Sequence, residues 1–230
     1  MQSSYTFAAT IHFPMQLYKL TLFSFFLVFN TTLLCAQNNW KLAADKEGIK
    51  VYTSTVPASK IKAVRVTCDL PVQASQLVAL LLDVESAPDW IYHTKSCRLI
   101  KQVSPSELYY YSEVEVPWPV ENRDFVAHLT VKQHPQTKVI TIDGPAVAGY
   151  VPPKKDVVRI SESEGRWQIT PLPNDHIQVT YTLHVNPGGS LPIWLVNMFA
   201  TQGPMEIFSK MKIELQKPKY KNAQLSFIRN

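Results

Sequence analysis

Glycine is scarce in this chain, with seven among 230 residues, and cysteine scarcer still at three. So little glycine, set against 17 prolines, excludes collagen-like repeats and Gly/Ser low-complexity sequence. No GxGxxG and no GxxxxGKS/T stretch occurs, so a phosphate-cradling nucleotide loop is missing. Neither CxxC spacing nor a nearby histidine cluster accompanies the cysteines, and HExxH and GxSxG are absent, so no metal and no cofactor is expected. A strong charge of one sign is lacking as well. Twenty-three basic residues against 18 acidic ones give a net charge of +5, mild enough to suit an anionic membrane surface but far from a nucleic-acid footprint. What remains is a globular composition, 46% hydrophobic and 11% aromatic, at a length that favours one domain.

The first 40 residues differ from the rest. Lys19 is the only charge before Trp40; it precedes the apolar run from Leu20 to Phe29, then Asn30-Thr31-Thr32 and Leu33 to Ala36. A basic residue, an apolar stretch and a small residue before a polar one describe a secretory signal peptide over 1–36, with Met15 a possible true start. A retained membrane anchor is the alternative, but Asn30-Thr31-Thr32 cuts the apolar run near ten residues where a span needs about 20. Lipidation at Cys35 is disfavoured by the bulk of Leu34 before it. Residues 37–230 are therefore expected to be an exported domain, periplasmic or secreted. Export places Cys68 and Cys97 where a disulfide can form; two semi-buried thiols are expected, with a single bridge as the alternative.

Beyond Lys41 the periodicity predicts strand, helix, many strands, helix. Runs 49–56 and 61–70 read as strands, 73–82 as a helix with Leu77, Leu80, Leu81 and Val84 on one face, ended by Pro88-Asp89-Trp90. Strands follow over 96–103, 108–116, 124–133, 138–143, 157–160, 166–171 and 176–186, with a looser stretch over 144–155. In 108–116 Tyr110, Ser112, Val114 and Val116 share an inner face, which leaves Glu113 and Glu115 to water. In 176–186 Ile177, Val179, Tyr181, Leu183 and Val185 alternate with polar residues. From Leu191 to about Gln216 the period turns helical, with Trp194, Leu195, Met198, Gln202, Met205, Phe208, Met211 and Leu215 in one stripe and Gly203-Pro204 to bend it. The tail beyond Pro218 is basic and expected to fray. The whole is an α+β arrangement, an antiparallel sheet covered by a long C-terminal helix.

The run Val116-Pro117-Trp118-Pro119-Val120-Glu121-Asn122-Arg123-Asp124-Phe125-Val126 resembles the START (steroidogenic acute regulatory protein-related lipid transfer) family. So does Pro187-Gly188-Gly189-Ser190-Leu191-Pro192-Ile193-Trp194-Leu195-Val196-Asn197 followed by Gly203-Pro204, with Asp89-Trp90 and Gly165-Arg166-Trp167 in matching order. The resemblance covers roughly Trp40 to Lys217. It implies a helix-grip, a curved sheet wrapped around the C-terminal helix with a lipid-sized tunnel between them. Little but the leader precedes Trp40, so most of the family's N-terminal helix is expected to be missing. The implied tunnel lining is Tyr110, Phe125, Leu129, Tyr181 and Leu183 from the strands, opposed by Leu195, Met198 and Met205. By itself a Met and aromatic stripe at helical spacing is ordinary core; the resemblance turns the reading toward a cavity, for which flexible methionines are well suited.

In sterol-binding members the tunnel holds a buried acid and base. Aligned here, these positions fall near Tyr110 and Leu129, both uncharged, which implies a lipid oriented by hydroxyls such as those of Tyr110 and Tyr181. Arg123 and Asp124 read as a headgroup site or, preferably, as a structural pair where the loop re-enters the sheet. The loop with Trp118 closes the tunnel mouth in the family, with Trp194 its neighbour across it; a staple from Trp118 to the sheet is the other reading. The implied function is a non-catalytic carrier or sensor of a lipid, in transient contact with membranes and working as a monomer. A helix-grip cyclase or hydrolase is the alternative, weakened because His128 and His184 are predicted on outward faces.

Overall fold

The computed structural model describes residues 40–57, 59, 61–189 and 191–230. The signal-peptide expectation for 1–36, and Cys35 with it, lies outside the described residues. Ten strands form one curved sheet: β1 Lys41–Lys46, β2 Ile49–Ser54, β3 Ala63–Leu70, β4 Thr94–Ser104, β5 Glu107–Val114, β6 Asn122–Gln133, β7 Ile140–Asp143, β8 Val157–Arg159, β9 Glu162–Leu172 and β10 His176–Asn186. Their order is β1-β2-β3-β10-β9-β7-β6-β5-β4, antiparallel throughout, with β8 alone pairing parallel to β6. Strand β1, sequence KLAADK, has no apolar alternation and escapes a pattern reading.

The register decides what meets what on the inner face. Tyr181 of β10 lies between Val66 of β3 and Trp167 of β9, and Leu183 between Val64 and Gly165. Because successive side chains alternate across a strand, Tyr181, Leu183 and Val185 share the concave side with Gly165 and Trp167.

Helix α1, Ala74–Leu82, begins at the N-cap residue Gln73, whose backbone N–H donates to Gln76 Oε1 at 2.9 Å. It buries Leu77, Leu80 and Leu81 in one core with Phe208, Met211 and Leu215 of the C-terminal helix. Pro88 does not end a helix but sits in the first turn of a short one, α2 Ala87–Trp90, where its missing N–H is harmless.

The C-terminal helix runs as α3 Ile193–Asn197, a π turn over Met198–Gln202, and α4 Gly203–Glu214. In the π turn Gly203 N–H reaches back five residues to Met198 O, which inserts one extra residue. Gly203 is needed for a steric reason: a Cβ there would lie 2.9 Å from Tyr92 Cδ1, so the ring packs directly on the helix backbone.

The segment after Pro218 is docked, not frayed. It forms α5 Pro218–Lys221, Tyr220 donates to Asp83 Oδ2 at 2.6 Å, Ser75 N–H donates to Asn230 Oδ1 at 3.0 Å and Arg229 N–H to Gln133 Oε1 at 2.9 Å.

The stretch over 144–156 is irregular yet pinned to the convex face. Glu113 is buried there, 5% exposed, between Lys154 at 2.7 Å and Lys95 at 2.9 Å, so it does not stand in water as its alternation implied. Glu115 is exposed as expected. Asp124, fully buried, takes two hydrogen bonds from Arg159 at 2.6 and 3.0 Å and one from Tyr111 at 3.1 Å. Cys68 and Cys97 are free thiols on β3 and β4, far apart in the strand order, which rules out the bridge. Burial raises the pKa of both, that of Cys97 to about 12.

Candidate functional site

One half of the space between sheet and C-terminal helix is packed solid and the other half is hollow. The boundary is an aromatic layer: Trp167 stacks on Tyr181 at 4.3 Å between ring centres and on Phe208 at 5.6 Å, and all three line the hollow side. Above it is a cavity of about 310 Å³ with predominantly apolar walls.

Six of the eight expected lining residues are brought together there: Tyr110, Phe125, Leu129, Tyr181, Leu183 and Leu195. The two methionines are not. Met198 and Met205 are partly exposed and absent from the wall, which takes Phe199, Ala200, Gly203, Pro204 and Ile207 from the helix instead. The wall positions recur every four residues, at Leu195, Phe199, Gly203 and Ile207, with the π turn among them, and Met198 and Met205, three residues from the wall residues Leu195 and Phe208, fall on the flank of that line.

Room is also made by what is missing. Gly165 occupies an inward position of β9, and a Cβ there would stand 3.7 Å from Tyr181 Oη and 3.8 Å from Leu183 Cδ1, so any longer side chain would enter the cavity.

The polar groups of the wall are few. Burial pushes the Tyr181 phenol up to about 12; burial, then Cys97 and Tyr181, raises that of Tyr110 further. Both therefore stay neutral hydroxyls, able to donate or accept, and neither has a partner among the described residues. Tyr92 and Ser163 bring the hydroxyl-bearing residues to four, and Lys62 and Arg123 are the charged groups. None of the described lining residues is Asp, Glu, His or Cys. His128 lies on the convex face, stacked on Tyr109 at 4.2 Å and 2.7 Å from Glu107 Oε1. His184 lines a polar surface groove with Arg65 and Glu164.

Arg123 and Asp124 are not a pair. Being neighbours on β6 they point to opposite faces, Asp124 outward to Arg159 and Arg123 inward to the cavity wall. The signal for Arg123 was present in the sequence, since it lies two residues before Phe125 and shares its face. Trp118 is 91% exposed, on the loop between β5 and β6, so it does not staple that loop to the sheet. Trp194 is 49% exposed and off the cavity wall, next to the lining residue Leu195.

The START domain profile matches residues 26–221. The chain belongs to the START domain family. This START domain is 33% identical over 185 residues to an uncharacterized protein of Pseudomonas aeruginosa, covering 78% of this chain and 88% of the relative. It is 25% identical over 172 residues to the phosphatidylcholine transfer protein of Mus musculus, covering 72% and 78%. The crystal structure of a STAR-related lipid transfer protein of Xanthomonas axonopodis superposes with a TM-score of 0.71 at 35% identity, over 77% of this chain and 99% of that one. The α+β helix-grip is thereby established, a curved antiparallel sheet closed by the C-terminal helix.

Proposed function

We propose that this START domain is an exported, non-catalytic lipid carrier that takes one hydrophobic ligand into the cavity between sheet and C-terminal helix. The observation that carries the reading is the hollow itself. A wall of large apolar side chains, with a few hydroxyls and cations, encloses space that a chain of this length would otherwise fill by packing. At about 310 Å³ it stands near the lower end of ligand-pocket volumes, so a two-chain lipid requires the helix to yield, and the π turn is the point where it is already irregular.

What supports a carrier over an enzyme is that the wall's tyrosines are held in their neutral form by burial and that no base is hydrogen-bonded to Ser163 among the described residues, whereas a serine nucleophile needs an adjacent base. Among the described residues no helix is long and apolar enough to cross a membrane and no cluster of His, Cys, Asp and Glu suits a metal. The leader-like pattern over 1–36 supports export.

Native mass spectrometry of the full chain recovered from its producing cells tests both parts. The expected result is a polypeptide mass beginning near Gln37 with a lipid adduct that denaturation releases. Recovery of chains with intact Met1 or Met15 would overturn export. A protein that carries no lipid and takes none from vesicles would overturn the carrier.

A further inference from the structure

The cavity contains a buried cation that the described fold leaves without an anion. Arg123 is 5% exposed and is one of the residues of the cavity wall. No carboxylate lies within ion-pair distance of it among the described residues; Asp124 is committed to Arg159 on the opposite face. The nearest acid acting on it is the exposed Glu121, through space only.

Its hydrogen bonds all go to neutral carbonyls. Nη1 donates to Glu121 O, Nε to Pro187 O at 3.5 Å and Nη2 to Gly188 O at 3.4 Å. A guanidinium has five N–H donors, so two remain, one on each terminal nitrogen, for an oxyanion to accept. The carbonyls fix the plane of the group without neutralising it, and a buried cation so placed is unfavourable until an anion joins it.

The second charged wall residue is at the same end. Lys62 lies two residues before Val64, which pairs with Leu183, while Arg123 bonds to Pro187, where β10 leaves the sheet. At the other end of the cavity is the aromatic layer of Trp167, Tyr181 and Phe208. The cavity is thus polarised, cationic at the β10 exit and apolar at its floor.

We propose that Arg123 is the core of an oxyanion subsite, and that the cavity prefers amphiphiles headed by a phosphate or a carboxylate to neutral ones with the same chains. This rests on the carrier reading above. The ligand lies with its charged head on Arg123, assisted by Lys62, and its tail against Trp167 and Phe208.

The test uses the delipidated full chain and vesicles containing equal parts of dioleoyl phosphatidic acid, oleic acid and dioleoylglycerol, with the bound species read by native mass spectrometry. The wild type is expected to load phosphatidic acid, oleic acid or both at least about tenfold over dioleoylglycerol, the scale of charged hydrogen bonds. Which of the two is taken identifies the source of the oxyanion. Arg123→Gln should remove that preference while still loading dioleoylglycerol, and Arg123→Lys should keep part of it, as a point charge without the fork. If Arg123→Gln does not fold, the wild-type ratio and Arg123→Lys decide. A wild type that loads the neutral lipid equally, or a folded Arg123→Gln that keeps the preference, overturns the subsite and leaves the carrier standing. A wild type that loads none of the three overturns the carrier itself.

Discussion

Leu183 stands on the cavity face of β10 between Tyr181 and Val185, opposite the side chain that Gly165 lacks. Its replacement by tryptophan sends the added bulk into open space. Leu183→Trp should abolish lipid loading with little change in melting temperature, whereas the same change in a packed core costs about 1–3 kcal/mol through overpacking. Thermal melts beside vesicle uptake check this, and uptake equal to wild type would count against the cavity. At this scale the strand side of the site was legible. Period-two alternation places Tyr110 on the inner face of its strand and Tyr181 and Leu183 together on one face of theirs, while their joining with Phe125 and Leu129 in one lining came from the family resemblance. The same rule, carried two residues back from Phe125, places Arg123 beside them, and forbids the pairing with Asp124 that adjacency in sequence suggested. Glu113 shows where the rule stops. Alternation gives the face of a residue but not what covers that face, and here an irregular segment covers it with Lys154.

That covering segment is tied to the sheet by backbone hydrogen bonds over 144–147 and, further on, by the ion pair of Lys154 with Glu113. Glu113 is held by hydrogen bonds from Lys154 and Lys95, which lower its pKa to about 2 from 4.5. A carboxylate depressed in this way stabilises the fold fully above its unfolded value and loses that contribution as pH falls from about 4.5 through about 2. Glu113→Gln should therefore cost about 1.5 kcal/mol near neutrality, the scale of a charged hydrogen bond between partly exposed partners. The gap from wild type should narrow markedly by about pH 3, as urea unfolding at the two pH values will read. Lipid loading should be unaffected, because Glu113 points away from the cavity. Among the elements, α1 and β10 were legible because each keeps one strict period. The C-terminal helix was legible in extent but not in phase. No residue type announces a π turn, and the wall follows a four-residue spacing through Phe199 and Ile207 that leaves Met198 and Met205 on its flank.

For the molecule as a whole, the division into a packed half and a hollow half raises the question of how a ligand enters. Two indoles stand out from the surface beside lining residues: Trp118 two positions after Val116, and Trp194 just before Leu195. The loop that carries Trp118 is braced from within. Val116 N–H donates to Asn122 Oδ1 at 3.0 Å and Val120 N–H to Pro117 O at 3.2 Å, and a proline on each side restrains the backbone. A tryptophan held out on such a loop gains nothing for stability in water. It suits a membrane interface, where its ring meets lipid and its N–H stays hydrated. The loop leads directly into Arg123, so lipid met by Trp118 is one turn of chain from the polar end of the cavity. Trp118→Ala should then slow lipid pick-up from vesicles several-fold without altering final loading, and shift stability by no more than about 0.5 kcal/mol, as for any exposed site. Stopped-flow transfer of a fluorescent lipid separates rate from capacity. A large fall in melting temperature with an unchanged rate would return Trp118 to a packing role, which its 91% exposure speaks against.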